Sequence, residues 1–163
     1  MEIEIHWEIS PKLNDEELKI LLETVHNIAR NTDHFDFFNK NHLWEPLFLN
    51  VIVISDPEIK SMNLKYRSKN ETTDVLTFPF DETRLVKNQP NSAEIYISQD
   101  TAARQCNEHN LTLLNEFIIL LVHGLLHAFH YDHETSEESS IEMKYLEKKI
   151  LSYLGVDSAP LTT

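Results

Sequence analysis

The chain has 163 residues, 41% of them apolar, two glycines and a formal net charge of −13. This length suits one domain with a sizeable core, and the composition excludes a low-complexity polymer. The single cysteine, Cys106, excludes an internal disulfide and fits a reducing cytoplasm. We expect Cys106 to be a packing residue rather than a nucleophile, because no partner motif accompanies it. No apolar run approaches the length of a membrane span without interruption by histidine.

In chain order, Ile3, Ile5 and Trp7 alternate and predict a strand over residues 2–9, a pattern unlike a signal peptide. Asn14 or Asp15 caps a helix with Leu18, Leu21, Leu22, Val25 and Ile28 on one face. Residues 31–41 form a polar connection pinned by Phe35, Phe37 and Phe38; His34 and His42 read as surface or packing residues. Residues 47–55 are a β-branched run and predict a central strand. Asp56 caps the next helix with Pro57 at its first position, and that helix runs to about Tyr66 and delivers Arg67. A third strand is expected over 74–80, a polar loop over 81–92, a fourth strand over 94–98 and a helix over 98–109. Leu111 or Thr112 opens a long apolar helix. The last helix, 136–154, is read with Ile141, Tyr145, Ile150, Leu151 and Leu154 inward, and Gly155 stops it. The expected architecture is α+β: one domain over 1–155, a mixed sheet of about four strands, about five helices and a frayed tail over 156–163.

The chemistry concentrates in residues 123–133, HGLLHAFHYDH, which hold four of the nine histidines. They close the long apolar helix, which we place at the centre of the fold. His123 and His127 are four apart, so on a helix both face the same way, one turn from each other. His133 follows six residues later and must be brought back by a turn. Three histidines with a fourth position open to water make a catalytic type of Zn²⁺ site. His130 has ligand spacing too, but reads better as a non-ligand at the helix exit. In the protease motif H-E-x-x-H a glutamate base follows the first histidine. Here that position is Gly124, which disfavours peptide hydrolysis.

The pattern H-G-x-L-H-x-x-x-Y-D-H resembles the signature of the YbeY family of bacterial metal-dependent endoribonucleases and ribosomal RNA maturation factors. A second block, residues 62–79, MNLKYRSKNETTDVLTFP, is similar to that family's N-x-x-Y-R-x-K-x-x-T-D-V-L-S-F-P. The resemblance covers roughly residues 45–155. It departs at His130, where the family has glycine, and at Ala93-Glu94-Ile95, where the family has G-D-I. It implies a zinc-dependent endoribonuclease acting in ribosomal RNA maturation and ribosome quality control, with His123, His127 and His133 on the metal. It also implies that Arg67 lies across the cleft and binds phosphate or stabilises charge in the transition state. Asp132 is expected to orient a histidine or the turn, with direct ligation as its alternative, and Asp74 to be a structural acceptor.

The net charge would repel an RNA backbone. However, residues 59–70 carry Lys60, Lys65, Arg67 and Lys69 with no acid, so Lys65 and Lys69 are candidate RNA contacts. The expected partners are ribosomal RNA and small-subunit ribosomal proteins. Two other readings remain open here. One is a metalloprotease-like hydrolase with Glu94 or Glu116 brought to the metal. The other is a non-catalytic assembly factor whose metal is structural, closed by His130 or Asp132.

Overall fold

The computed structural model describes residues 1–32, 35, 43, 46–83 and 89–156. The elements run β1 (Glu2–Trp7), α1 (Asp15–Arg30), β2 (Leu47–Ile54), α2 (Asp56–Arg67), β3 (Val75–Phe78), β4 (Asn91–Ser98), α3 (Gln99–Glu108), α4 (Leu113–Ala128) and α5 (Glu137–Tyr153). The strands form one sheet in the order β1-β2-β4-β3. β1, β2 and β4 are parallel, and β3 is antiparallel to β4. This is the mixed α+β architecture expected from the sequence. Parallel neighbours need crossover connections, which α1 supplies between β1 and β2, and α2 with β3 between β2 and β4.

Strand register sorts the side chains by face, because alternate residues point to opposite sides. Ile3, Leu49 and Ala93 align across the sheet, as do Ile5, Val51, Ile95 and Thr77, and then Trp7, Val53, Ile97 and Val75. That face joins the main core. The opposite face carries Ile52, Leu76, Phe78 and Tyr96, which form a smaller cluster with Ile59 and Met62 of α2.

α4 packs between the sheet and α1, α3 and α5. It buries Phe117, Ile118, Leu120, Leu121, Val122, Leu125 and Leu126. At roughly 1.5–3 kcal/mol for each buried side chain of this size, the helix is a firm support for its two histidines. Its contact with the sheet is close: a Cβ placed on Gly124 would lie 2.7 Å from Cγ2 of Ile95. Among the described residues no single helix is long and apolar enough to cross a membrane.

Several expectations shift. Ile141 and Tyr145 are 62% and 63% exposed. The buried stripe of α5 is instead Met143, Leu146, Glu147, Ile150 and Leu151, at the i, i+3, i+4, i+7, i+8 spacing of a single face. Leu22 is likewise exposed beside buried Leu21, Val25 and Ile28. Ser55, not Asp56, caps α2, and its backbone N–H donates to Glu58 Oε2 at 3.1 Å. Asp56 is used elsewhere: Ser98 Oγ, Thr101 Oγ1 and Arg104 Nη1 donate to it at 2.6, 2.7 and 2.8 Å. Burial opposes its ionisation, but these donors outweigh burial and hold the carboxyl below its ordinary range. β1 ends at Trp7, two residues early, and β4 begins at Asn91, three residues early. The Asn91 amide explains the second shift, since it brackets Asp81 by accepting from its N–H and donating to its carbonyl. Phe35 is buried against Tyr153. Phe37, Phe38, His34 and His42 lie outside the described residues, as do residues 157–163 of the expected tail. Val156 is buried, and its N–H donates to Leu151 O.

Candidate metal centre

Thr112 starts α4 by accepting from the N–H of Asn115 through its hydroxyl. Sixteen residues later the helix ends at Ala128, so His123 and His127 occupy its last two turns. Their Nε2 atoms lie 3.1 Å apart. The exit is a left-handed turn: His130 has φ of 66°, its N–H donates to His127 O, and Tyr131 N–H donates to Leu126 O. That reversal brings the His133 ring to 5.6 and 5.4 Å from the rings of His123 and His127. One nitrogen from each of the three lies within 4.8 Å of the others, and the group could hold a metal ion.

His130 occupies a backbone region that costs roughly 1–2 kcal/mol for a residue with a Cβ. It lines the same cleft as the triad but is not part of the converging group, and its ring nitrogens are engaged by other residues. Nε2 donates to Phe80 O at 2.6 Å and Nδ1 meets Glu82 Oε1 at 2.8 Å. These contacts oppose the backbone cost and tie the turn to the segment after β3, whose Phe80 N–H also donates to Ala128 O. Asp132 likewise serves the turn, accepting from the Glu134 N–H at 2.9 Å.

The donor set suits a divalent cation that favours imidazole. Among the described residues, Nδ1 of His133 is buried without a hydrogen-bond partner. Burial first, then the neighbouring His123 and His133, push His127 down to about 4, so its ring is neutral at physiological pH, the form that can coordinate a cation. Nδ1 of His123 meets Oε1 of Glu147 at 2.5 Å. A proton on Nδ1 shared with that carboxylate leaves the Nε2 lone pair free, the arrangement metal-binding histidines usually have. Sequence reasoning did not find Glu147. Its signal was there: a glutamate between Met143, Leu146, Ile150 and Leu151 on the apolar face of α5.

The carboxylates considered as a hydrolytic base are not beside the triad. Glu94 is on the opposite face of the sheet from α4, where it accepts from the Tyr96 hydroxyl at 2.7 Å. Burial and Glu94 push that phenol up to about 12. Glu116 pairs with His109, two turns up the helix. The position after His123 is Gly124, which faces Ile95, so a side chain there would meet the sheet rather than a metal. Cys106 is buried, and burial together with Glu116 pushes its thiol up, away from nucleophilic behaviour.

The triad lies in a cleft of about 970 Å³ whose lining also includes Arg67, Lys69, Asp74 and Asp132. Arg67 ends α2 and is exposed; the next residue, Ser68, turns the chain with φ of 58°. Among the described residues no carboxylate lies within ion-pair distance of Arg67. Lys65 is not part of the cleft lining, and its Nζ sits 5.0 Å over the Tyr66 ring. Asp74 Oδ1 accepts from the Val75 N–H at 2.8 Å, at the start of β3.

The comparisons with known proteins converge. The family model described as Endoribonuclease YbeY matches residues 8–155. An endoribonuclease YbeY of Thermodesulfovibrio yellowstonii is 38% identical over 112 residues, covering 66% of this chain and 67% of that protein. One of Aquifex aeolicus is 40% identical over 107 residues, covering 66% and 70%. The solution structure of TM1509 from Thermotoga maritima aligns with a TM-score of 0.52 and 27% identity, covering 98% of this chain and 100% of that one. With a family model spanning nearly its whole length, relatives matched over two thirds of theirs, and a shared fold, the chain belongs to the endoribonuclease YbeY family.

Proposed function

We propose that this protein is a zinc-dependent endoribonuclease that cleaves single-stranded regions of ribosomal RNA during its maturation and in ribosome quality control, in the cytoplasm. The observation that carries the proposal is that Arg67 lines the same cleft as the converged nitrogens of His123, His127 and His133. The three histidines hold the zinc, which when bound supplies Lewis-acid chemistry at phosphate oxygens. Arg67 presents a planar fork of donors to the scissile phosphate and stabilises the charge that grows on it. Lys69 adds positive charge on the same wall, against the −13 of the whole chain. Glu147 keeps the His123 ring in one orientation. The catalytic unit spans residues 1–155, and its partners are ribosomal RNA and small-subunit ribosomal proteins.

Two observations support this reading over its rivals. A structural metal would call for a fourth protein ligand, and among the described residues the converging group contains three. A protease-like base would follow His123, where Gly124 stands, or come from Glu94 or Glu116, and both of these are engaged elsewhere. The test combines elemental analysis with cleavage of single-stranded RNA by the wild type, His123→Ala and Arg67→Ala. We expect stoichiometric zinc in the wild type and Arg67→Ala, zinc lost from His123→Ala, and cleavage lost in both variants by at least about a hundredfold. Zinc-loaded wild type that leaves RNA intact would refute the proposal.

A further inference from the structure

The cleft continues past the triad. About two turns up α4, roughly 10 Å along its axis from His123, Glu116 is 1% exposed, and its Oε2 lies 3.1 Å from Nδ1 of His109. An ionised carboxylate is costly to bury unless it is paired, and its helix neighbours Phe117 and Leu120 are core residues. Here the buried acid fixes a histidine ring in the cleft wall, with the side chain of His109 29% exposed. The same end of the cleft is lined by half-buried Leu111 and Ile119, with Gln105 and Glu108 of α3 beside them.

The chemistry of this end selects its ligand. Glu108 and Glu116 repel phosphate, and among the described residues the Arg and Lys lining the cleft, Arg67 and Lys69, come from the end of α2 and just beyond it. A fixed aromatic ring, apolar neighbours and a polar rim instead fit a flat, uncharged heteroaromatic. Single-stranded RNA offers such a group at every nucleotide, and proteins read it by stacking the splayed base on aromatic side chains, histidine among them. We propose that His109, oriented by Glu116, is the stacking platform of a nucleobase subsite that positions the nucleotide flanking the cleaved phosphodiester. This rests on the endoribonuclease reading above.

The test is an abasic scan. A short fluorescein-labelled single-stranded RNA is made with an abasic nucleotide at each position in turn, with 2′-O-methyl ribose to slow cleavage. Its binding to zinc-loaded full-length protein is measured by fluorescence anisotropy, and cleavage of the unmethylated series is followed on gels. The wild type is expected to lose about tenfold in affinity at one position beside the cut, about 1.4 kcal/mol and within the range for base stacking. His109→Ala is expected to bind intact RNA about tenfold more weakly, to ignore that abasic position and to keep its zinc. A dyad with only a structural role would lower the melting temperature and leave the abasic profile of the wild type in place, which overturns the proposal. If His109→Ala does not fold, the double variant His109→Ala/Glu116→Gln decides, because it removes the ring and its buried acid partner together. A flat abasic profile with zinc retained there supports the subsite, and retention of the positional penalty overturns it. Cleavage by wild type with a flat abasic profile overturns the subsite alone. A positional penalty without cleavage overturns the nuclease reading alone, and absence of RNA binding removes both.

Discussion

Glu147 illustrates how one buried charge serves a site built from other residues. It lies on α5, 24 residues from His123, and its carboxylate is buried where it meets Nδ1 of that ring. We predict that Glu147→Gln lowers zinc affinity by about 10–100-fold, the usual cost of losing the group behind a metal-binding histidine. Competition with a chromophoric chelator reads this directly, and unchanged affinity would show that the contact does not support the ligand. Gly124 makes the opposite demand, for absence of a side chain. Alanine there gains about 1 kcal/mol of helix propensity, but its Cβ meets the stiff, β-branched Ile95 at 2.7 Å. Overpacking of this kind costs about 1–3 kcal/mol. We therefore expect Gly124→Ala to lower the melting temperature by a few degrees, and an unchanged or higher melting temperature would mean that α4 can lift from the sheet at no cost.

At the scale of elements, α4 and its exit turn assemble the triad. The helix supplies two histidines by period alone, and the left-handed turn at His130 supplies the third. Packing so many imidazoles together has a pH signature. Burial first, then His123 and His133, hold His127 near 4 in the fold, against 6.5 for a free histidine. Between those values the unfolded chain binds more protons than the folded one, so stability rises with pH across that window. Zinc-free protein should therefore lose stability as pH falls from about 6.5 towards 4, seen as a falling urea midpoint. A midpoint that stays level across this range would contradict the placement of His127. Helix positions were legible in the sequence because capping residues and apolar period are local: Asn14, Thr112 and Ser136 each accept at their helix N-terminus. The inward face of α5 was less legible. Two apolar stripes, one through Ile141 and Tyr145 and one through Met143 and Leu146, compete on the same helix, and only the neighbouring core chooses between them.

For the whole molecule, the proposed site joins residues from three distant stretches: Arg67, the histidines of 123–133, and Glu147. A ligand that binds only the folded assembly must stabilise all of it. Free zinc at about 100 times its Kd should add about 2.7 kcal/mol, a rise of roughly 5–10 °C in melting temperature for a chain of this size. Chelator should reverse the rise, and His133→Ala should abolish it. A rise that survives His133→Ala would place the zinc elsewhere. The long-range electrostatics act in the other direction. The net charge of −13 opposes RNA, so under the proposed function the phosphate contacts fall to the local surface at Arg67 and Lys69.

The sequence by itself determined the elements, the mixed α+β class and the spacing of His123, His127 and His133, because period, caps and ligand intervals are properties of short stretches. It also carried the resemblance of residues 62–79 and 123–133 to the family. Tertiary structure alone decided which groups surround the histidines. It placed Glu147 behind His123, turned Glu94 to the far face of the sheet, drew His130 towards Phe80 and Glu82, and put Lys65 on Tyr66 outside the cleft lining. Each of those outcomes depends on a contact between residues brought together by sheet register or helix packing, or on which face a helix turns towards the core. No interval along the chain encodes either of these.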